Sequence, residues 1–185
     1  MKQVLDAAKE IQDFFEEKNW KFCLIGGISL QVRAIPGNTN NADITLLTGI
    51  GSEEEFIRVL LEKFESRIVD DPIGFSLRHR VVLINIDGVG IDISLGALEF
   101  EESAVERATY QEFLPGIILK VCSPEDLIVF KAFANRLKDW ADIENVLSIQ
   151  TNLDWKYVIE QLSPLVELKD EPEILTTLNN LRKKS

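Results

Sequence analysis

The chain has 185 residues, 45% hydrophobic and 28% charged, with 31 acidic against 20 basic side chains for a net charge of −11. That imbalance repels polyanions at long range and argues against general DNA or RNA binding. No apolar run approaches the roughly 20 residues of a membrane span, and the start Met1-Lys2-Gln3-Val4-Leu5-Asp6 has no signal-peptide core, so a cytoplasmic protein is expected.

The length fits one domain, or a core with a helical appendage. Cys23 and Cys122 each sit in an apolar run, which predicts buried thiols rather than a disulfide or a metal site. Residues 3–18 repeat apolar side chains at helical spacing, from Val4 and Leu5 through Ala8 and Ile11 to Phe14 and Phe15. Residues 20–25 predict a buried strand. Gly26-Gly27 then turns the chain into a short helix ending near Ala34.

Loop residues at 36–41 precede a strand over 42–47, and Ser52-Glu53-Glu54-Glu55 predicts a capping box opening a helix to about Phe64. Residues 77–86 and 89–95 read as a hairpin turning at Asp87-Gly88. Asp70-Asp71 before Pro72 reads as a solvated turn. A helix over 99–108 and a strand over 116–121 follow. Ser123-Pro124-Glu125-Asp126 combines an N-cap, an N1 proline and an acidic first turn, so a helix to about Asn135 is expected. Further helices are predicted near 138–149, 154–163 and 171–183, with Arg182-Lys183-Lys184 as a solvated helix end. The expected fold is α/β (α+β): a small mixed sheet flanked by helices over 1–122, and a helical C-terminal third over 123–185 packed on it as one compact unit.

The chemistry concentrates in three places. A glycine pair lets a backbone approach a bulky anion, and a helix N-terminus supplies amide groups to bind it, so Gly26, Gly27 and Ser29 form a candidate phosphate cradle. Strand alternation puts Asp43 and Thr45 on one face, with Ile44 turned to the core. Asp92 lies between Ile91 and Ile93, where a carboxylate is costly to bury unless it is paired or holds a metal. Arg78 and Arg80 share a predicted strand face and could either reach a phosphate or pair with nearby acids at the surface. Arg136, Lys138, Asp139 and Asp142 lie at a helix junction, where a salt-bridge network is expected. His79 is the only histidine, which excludes a histidine triad or a zinc site, and Trp20, Trp140 and Trp155 are expected to pack.

The series Gly26-Gly27-Ile28-Ser29, Asp43-Ile44-Thr45 and Ile91-Asp92-Ile93 resembles the minimal nucleotidyltransferases of the polymerase-beta-type superfamily. Ser123-Pro124-Glu125-Asp126-Leu127-Ile128, Lys131, Arg136 and Lys138-Asp139-Trp140-Ala141-Asp142-Ile143 add a resemblance to the AbiEii-like branch, known also from toxin–antitoxin pairs. The resemblance covers roughly residues 18–147. It implies that Gly26, Gly27 and Ser29 hold a triphosphate and that Asp43 and Asp92 bind Mg²⁺, Asp92 also activating the acceptor hydroxyl. It further implies that Lys131 faces the nucleotide phosphates and that Asp139 stands at the active-site edge.

The family usually reads Asp-x-Asp where this chain has Asp43-Ile44-Thr45, and often an arginine and a threonine where it has Thr39 and Asn41. Thr45 would then touch nucleotide without ligating metal, and Asp43 with Asp92 would hold a single Mg²⁺ through the phosphates. Two expectations follow. One is a transferase that uses a nucleoside triphosphate and passes a nucleoside monophosphate to an RNA end, a protein hydroxyl or a small molecule. The other is a catalytically lapsed nucleotide-binding or antitoxin-like partner protein. In the second case Thr45→Asp would restore a site.

Overall fold

The computed structural model describes residues 1–183; the expectation for Lys184 in the basic tail lies outside the described residues. The elements are α1 (Lys2–Glu17), β1 (Phe22–Ile25), α2 (Gly26–Arg33), β2 (Asn41–Leu47), α3 (Glu53–Lys63), β3 (Glu65–Ser66), α4 (Pro72–His79), β4 (Val81–Ile86) and β5 (Val89–Gly96). They continue as α5 (Glu99–Arg107), β6 (Thr109–Leu114), β7 (Ile117–Val121), α6 (Pro124–Ala134), α7 (Leu137–Ile149), α8 (Trp155–Lys169) and α9 (Glu173–Arg182). The class is mixed α/β, as the sequence predicts. No helix among the described residues is long and apolar enough to cross a membrane.

Met1–Ile28 with Asn38–Cys122 form one compact unit; Ser29–Gly37 with the described residues from Ser123 form a second. The first holds a seven-stranded mixed sheet in the order β3-β4-β5-β2-β1-β7-β6. Strands β2 and β5 run parallel, as do β1 and β7, and the other pairs are antiparallel.

Register gives the sheet two unlike faces. Phe22, Leu24, Ala42, Ile44, Leu46, Ile91, Ile93, Val82 and Ile84 share one face, and all are buried. Helix α1 covers it, packing on β2, β5 and β7 through residues such as Leu5, Ala8, Ile11 and Phe15. The rings of Phe15 and Phe22 meet there edge-on at 5.2 Å. Each aliphatic side chain so buried contributes about 1.5–3 kcal/mol. The opposite face carries Asn41, Asp43, Thr45, Gly90, Asp92 and Ser94. The hairpin at Asp87-Gly88 forms as predicted, with φ of 50° and 82°, the left-handed pair of a tight two-residue turn.

Three local expectations are corrected. Residues 77–80 are not strand: Asp71 caps α4 by accepting the Gly74 amide at 2.9 Å, Pro72 takes the first helical position, and β4 begins only at Val81. Asp71 is therefore a helix cap rather than a plain solvated turn. Arg78 and Arg80 accordingly share no strand face. Arg78 reaches back to Asp71 at 3.1 Å, whereas Arg80, at φ 51°, pairs with Glu53 and donates to the Leu95 carbonyl at 2.6 Å.

The Ser52 capping box does not close either, because Glu53 instead accepts the Gly51 amide at 2.7 Å. Strands β3 and β6 and the extension of the helix begun at 154 through Pro164 to Lys169 carried no periodic signal strong enough to read.

In the second unit Ser123 caps α6, accepting the Asp126 amide at 3.1 Å, and Asn135 closes it at φ 55°. Trp140 donates to Asn135 Oδ1 at 2.9 Å, and Arg182 lies over the Trp155 ring at 4.9 Å, so both rings pack. Both cysteines are buried, and neither forms a disulfide.

Candidate functional site

On the polar face of the sheet Asp43 and Asp92 stand side by side. The residues are register partners on the parallel strands β2 and β5, so both side chains leave the sheet on one side. Neighbouring strands lie about 5 Å apart, and at that distance two like charges repel by roughly 3 kcal/mol at an effective dielectric of 20. Such a pair calls for a cation. Both residues are half-buried, which keeps the site open to a ligand.

Gly26 and Gly27 border this pair from the first turn of α2. Gly26 has φ +59°, and a Cβ built on it would fall 2.3 Å from Asp43 Oδ2. The backbone thus runs against the carboxylate as no other residue would allow. A Cβ on Gly27 would fall 2.4 Å from Thr39 Oγ1, whose hydroxyl donates to the Asn41 carbonyl at 3.0 Å. The two glycines make a cradle that side chains would fill, placed where a helix presents its first amide groups. Gly26→Ala is expected to cost at least about 2 kcal/mol, from the left-handed backbone and the displaced carboxylate. A denaturant midpoint checks this; an alanine variant as stable as wild type would show that Asp43 is not held against the turn.

Two hard carboxylate oxygen donors beside an open cradle fit one Mg²⁺, which binds through one or two carboxylates and completes its shell with substrate phosphates and water. No group of three or more histidine, cysteine or acidic side chains capable of holding a metal occurs among the described residues. Asp43 and Asp92 are a two-donor set, the number Mg²⁺ commonly takes from a protein.

Thr45 lies on the same face but in a different environment. It is fully buried, and its hydroxyl donates to Glu101 Oε1 of α5 at 3.2 Å. The other Glu101 oxygen accepts the amides of Ala97 and Leu98 at 2.8 and 3.0 Å, closing the first turn of α5. Helix α5 packs on β1 and β2 and covers the face around Thr45. Asp92 has partners of its own: Arg67 donates to Oδ1, and the Asn41 amide reaches Oδ2 at 3.4 Å.

No family model matches the sequence, and no curated protein matches it. Solved structures do. An antigenic nucleotidyltransferase-like protein from Paracoccidioides brasiliensis superposes with a TM-score of 0.56 at 14% identity, over 95% of this chain and 92% of that one. A protein of Thermotoga maritima provisionally named a nucleotidyltransferase gives a TM-score of 0.50 at 14% identity, over 80% of this chain and 94% of that one. The fold is nucleotidyltransferase-like.

Within this nucleotidyltransferase-like chain, Ser29, Lys131 and Asp139 belong to the second unit. Ser29 is the fourth residue of α2 and is fully buried. Lys131 of α6 is 7% exposed, and its ammonium donates to Asp139 at 3.3 Å and to Asp142 at 2.6 Å. Asp139, fully buried, also accepts from Arg136 Nε at 2.5 Å and Nη2 at 3.1 Å. The junction network expected from the sequence is present through Arg136, Asp139 and Asp142, but its lysine is Lys131 rather than Lys138, and the charges of Asp139 and Lys131 are neutralised inside it.

Burial alone would raise the Asp139 carboxyl, but the Arg136 hydrogen bonds and the Lys131 charge outweigh it and hold the group below its ordinary 3.8. A depressed folded-state value contributes stability in full above the unfolded value, and this contribution is lost as pH falls through the folded one. Asp139→Asn should then cost about 1–3 kcal/mol near neutral pH, because Lys131 keeps Asp142 while the hydrogen bonds from Arg136 and Lys131 lose their charged acceptor. The gap from wild type should narrow below about pH 3.8. Denaturant titrations at several pH values check both; a gap independent of pH would assign the loss to packing.

The sequence reading missed Arg67, Glu101 and the contact of Asn41 with Asp92. Arg67 lies 25 residues from Asp92 behind a two-residue strand, too short to leave a pattern. Glu101 did carry a signal: an acidic residue at the third helical position, which pairs with a helix start.

Proposed function

We propose that this protein binds a nucleoside triphosphate with one Mg²⁺ and transfers a nucleoside monophosphate to an acceptor hydroxyl. The observation that carries the proposal is the register pairing of Asp43 with Asp92 beside a glycine turn that only glycine can make at Asp43. The nucleotidyltransferase-like fold supports it. Gly26 and Gly27 would receive phosphate oxygens on backbone amides. Asp43 and Asp92 would hold the ion, which when bound neutralises phosphate charge and polarises the reacting centre.

The acceptor oxygen attacks the α-phosphorus, the bond to the bridging oxygen breaks, and pyrophosphate leaves in line. Asp92 is the base on this face suited to take the acceptor proton. The net charge of −11 disfavours a long RNA as acceptor. A small molecule or a protein hydroxyl suits it better.

The experiment is transfer of labelled nucleotide in the presence of Mg²⁺, with Asp43→Ala as the comparison. Transfer by wild type that the variant loses supports the proposal, and transfer that persists in the variant overturns it. Magnesium-dependent binding without transfer would instead identify a lapsed nucleotide-binding protein.

A further inference from the structure

The cation that the Asp43–Asp92 pair calls for is already present in part. Arg67 follows β3, and its amide donates to the Leu83 carbonyl at 2.9 Å. Leu83 is the register partner of Asp92, so this bond delivers the Arg67 side chain to the polar face beside that carboxylate. Its Nη2 donates to Asp92 Oδ1. A Cβ on Gly90 would fall 2.9 Å from Arg67 Nη1 and 3.3 Å from Cζ. Gly90 is not among the glycines with positive φ, so its missing side chain supplies room for the guanidinium rather than backbone freedom. Asn41 engages the other oxygen of Asp92, and the carboxylate is clasped from both sides.

A divalent ion cannot approach Asp92 without meeting this positive charge. The arginine is 36% exposed on its side chain and anchored only at its tip, so it is free to be drawn elsewhere. Triphosphate oxygens are the competing anion that a guanidinium fork fits best, two parallel hydrogen bonds to one phosphate. The position that would supply a further carboxylate is Thr45, buried against Glu101, which leaves no set of three acidic ligands among the described residues. A second metal ion has no ligands here. A guanidinium does have a place.

We propose that Arg67 is the resident counter-cation of this site: it holds Asp92 in the nucleotide-free protein, opposes a divalent ion there, and passes to the phosphates of an incoming nucleotide in place of a second metal ion. The proposal rests on the nucleotide-binding function proposed above. Arg67 is thus a positioning residue for Asp92 and a binding residue for nucleotide.

Arg67→Gln separates these roles, because they move two affinities in opposite directions. Mn²⁺ binding to nucleotide-free protein, followed by electron paramagnetic resonance, should strengthen about tenfold once the competing charge is gone. Binding of a fluorescent ATP or GTP analogue at saturating Mg²⁺ should weaken about tenfold, because a phosphate ligand is lost. A fold defect would weaken both, and Arg67→Lys should fall between wild type and Arg67→Gln in each.

If Arg67→Gln leaves both affinities unchanged, or shifts both the same way, the assignment is overturned while the nucleotide site stands. If neither wild type nor variant binds Mn²⁺ or nucleotide, the nucleotide function fails and takes this assignment with it.

Discussion

Thr45→Asp lowers the unfolding free energy by about 3–5 kcal/mol, and Glu101→Gln in the same chain restores most of it. The cause is electrostatic. Position 45 is fully buried and its hydroxyl donates to Glu101 at 3.2 Å, so a carboxylate there meets another carboxylate with no donor between them. Space is equally short, since a Cβ at Gly96 would come within 3.0 Å of Thr45 Oγ1 and 3.3 Å of Glu101 Cδ. Glutamine at 101 keeps an acceptor for the amides of Ala97 and Leu98 and gains a donor for Asp at 45. Denaturant unfolding of the two single variants and the double variant measures the coupling. A Thr45→Asp protein as stable as wild type would show that α5 does not close over this position.

The contact with Glu101 alters what Thr45 means. From the sequence alone it is a missing metal ligand, which a single substitution would put back. In the structure it is the hydrogen-bond donor that joins β2 to the cap of α5. Restoring an acidic residue there would strain the fold before it built a site. Whatever ion chemistry the protein performs is left to Asp43 and Asp92.

The second large effect is expected at Asp43. Replacing it by alanine should lower nucleotide transfer on the order of 10³-fold, the scale seen when a preorganised charge stabiliser is removed. The same change relieves repulsion with Asp92, so any loss of stability should be small beside the loss of transfer. Loss of function without a matching loss of stability is the pattern of a residue kept for chemistry. Transfer rates set beside melting temperatures check the prediction; a variant that is both strongly destabilised and inactive would make Asp43 a structural residue.

The sheet core was legible because buried strands carry continuous apolar runs: Phe22 through Ile25 and the isoleucines around Asp43 and Asp92 left little choice. Asp43 and Asp92 were readable as companions for the same reason, each the lone acid in such a run. Residues 77–80 misled because Leu77 leads within four residues into the apolar run that starts at Val81, while the cap at Asp71 and Pro72 that fixes α4 lies further back. Thr45 and Arg67 could not be placed from sequence. Their partners, Glu101 and Asp92, are 56 and 25 residues away and are brought near only by sheet register and by α5.

Asp43 and Asp92, beside the glycine turn, are proposed to hold a nucleotide together with one divalent ion. Calorimetric titration with a non-hydrolysable nucleoside triphosphate and Mg²⁺ tests it most directly, run across the common nucleotides on wild type and Asp43→Ala. Binding by wild type at one nucleotide per chain, dependent on Mg²⁺ and lost in the variant, is the predicted result. Equal binding by the two proteins, or binding by neither, would contradict it.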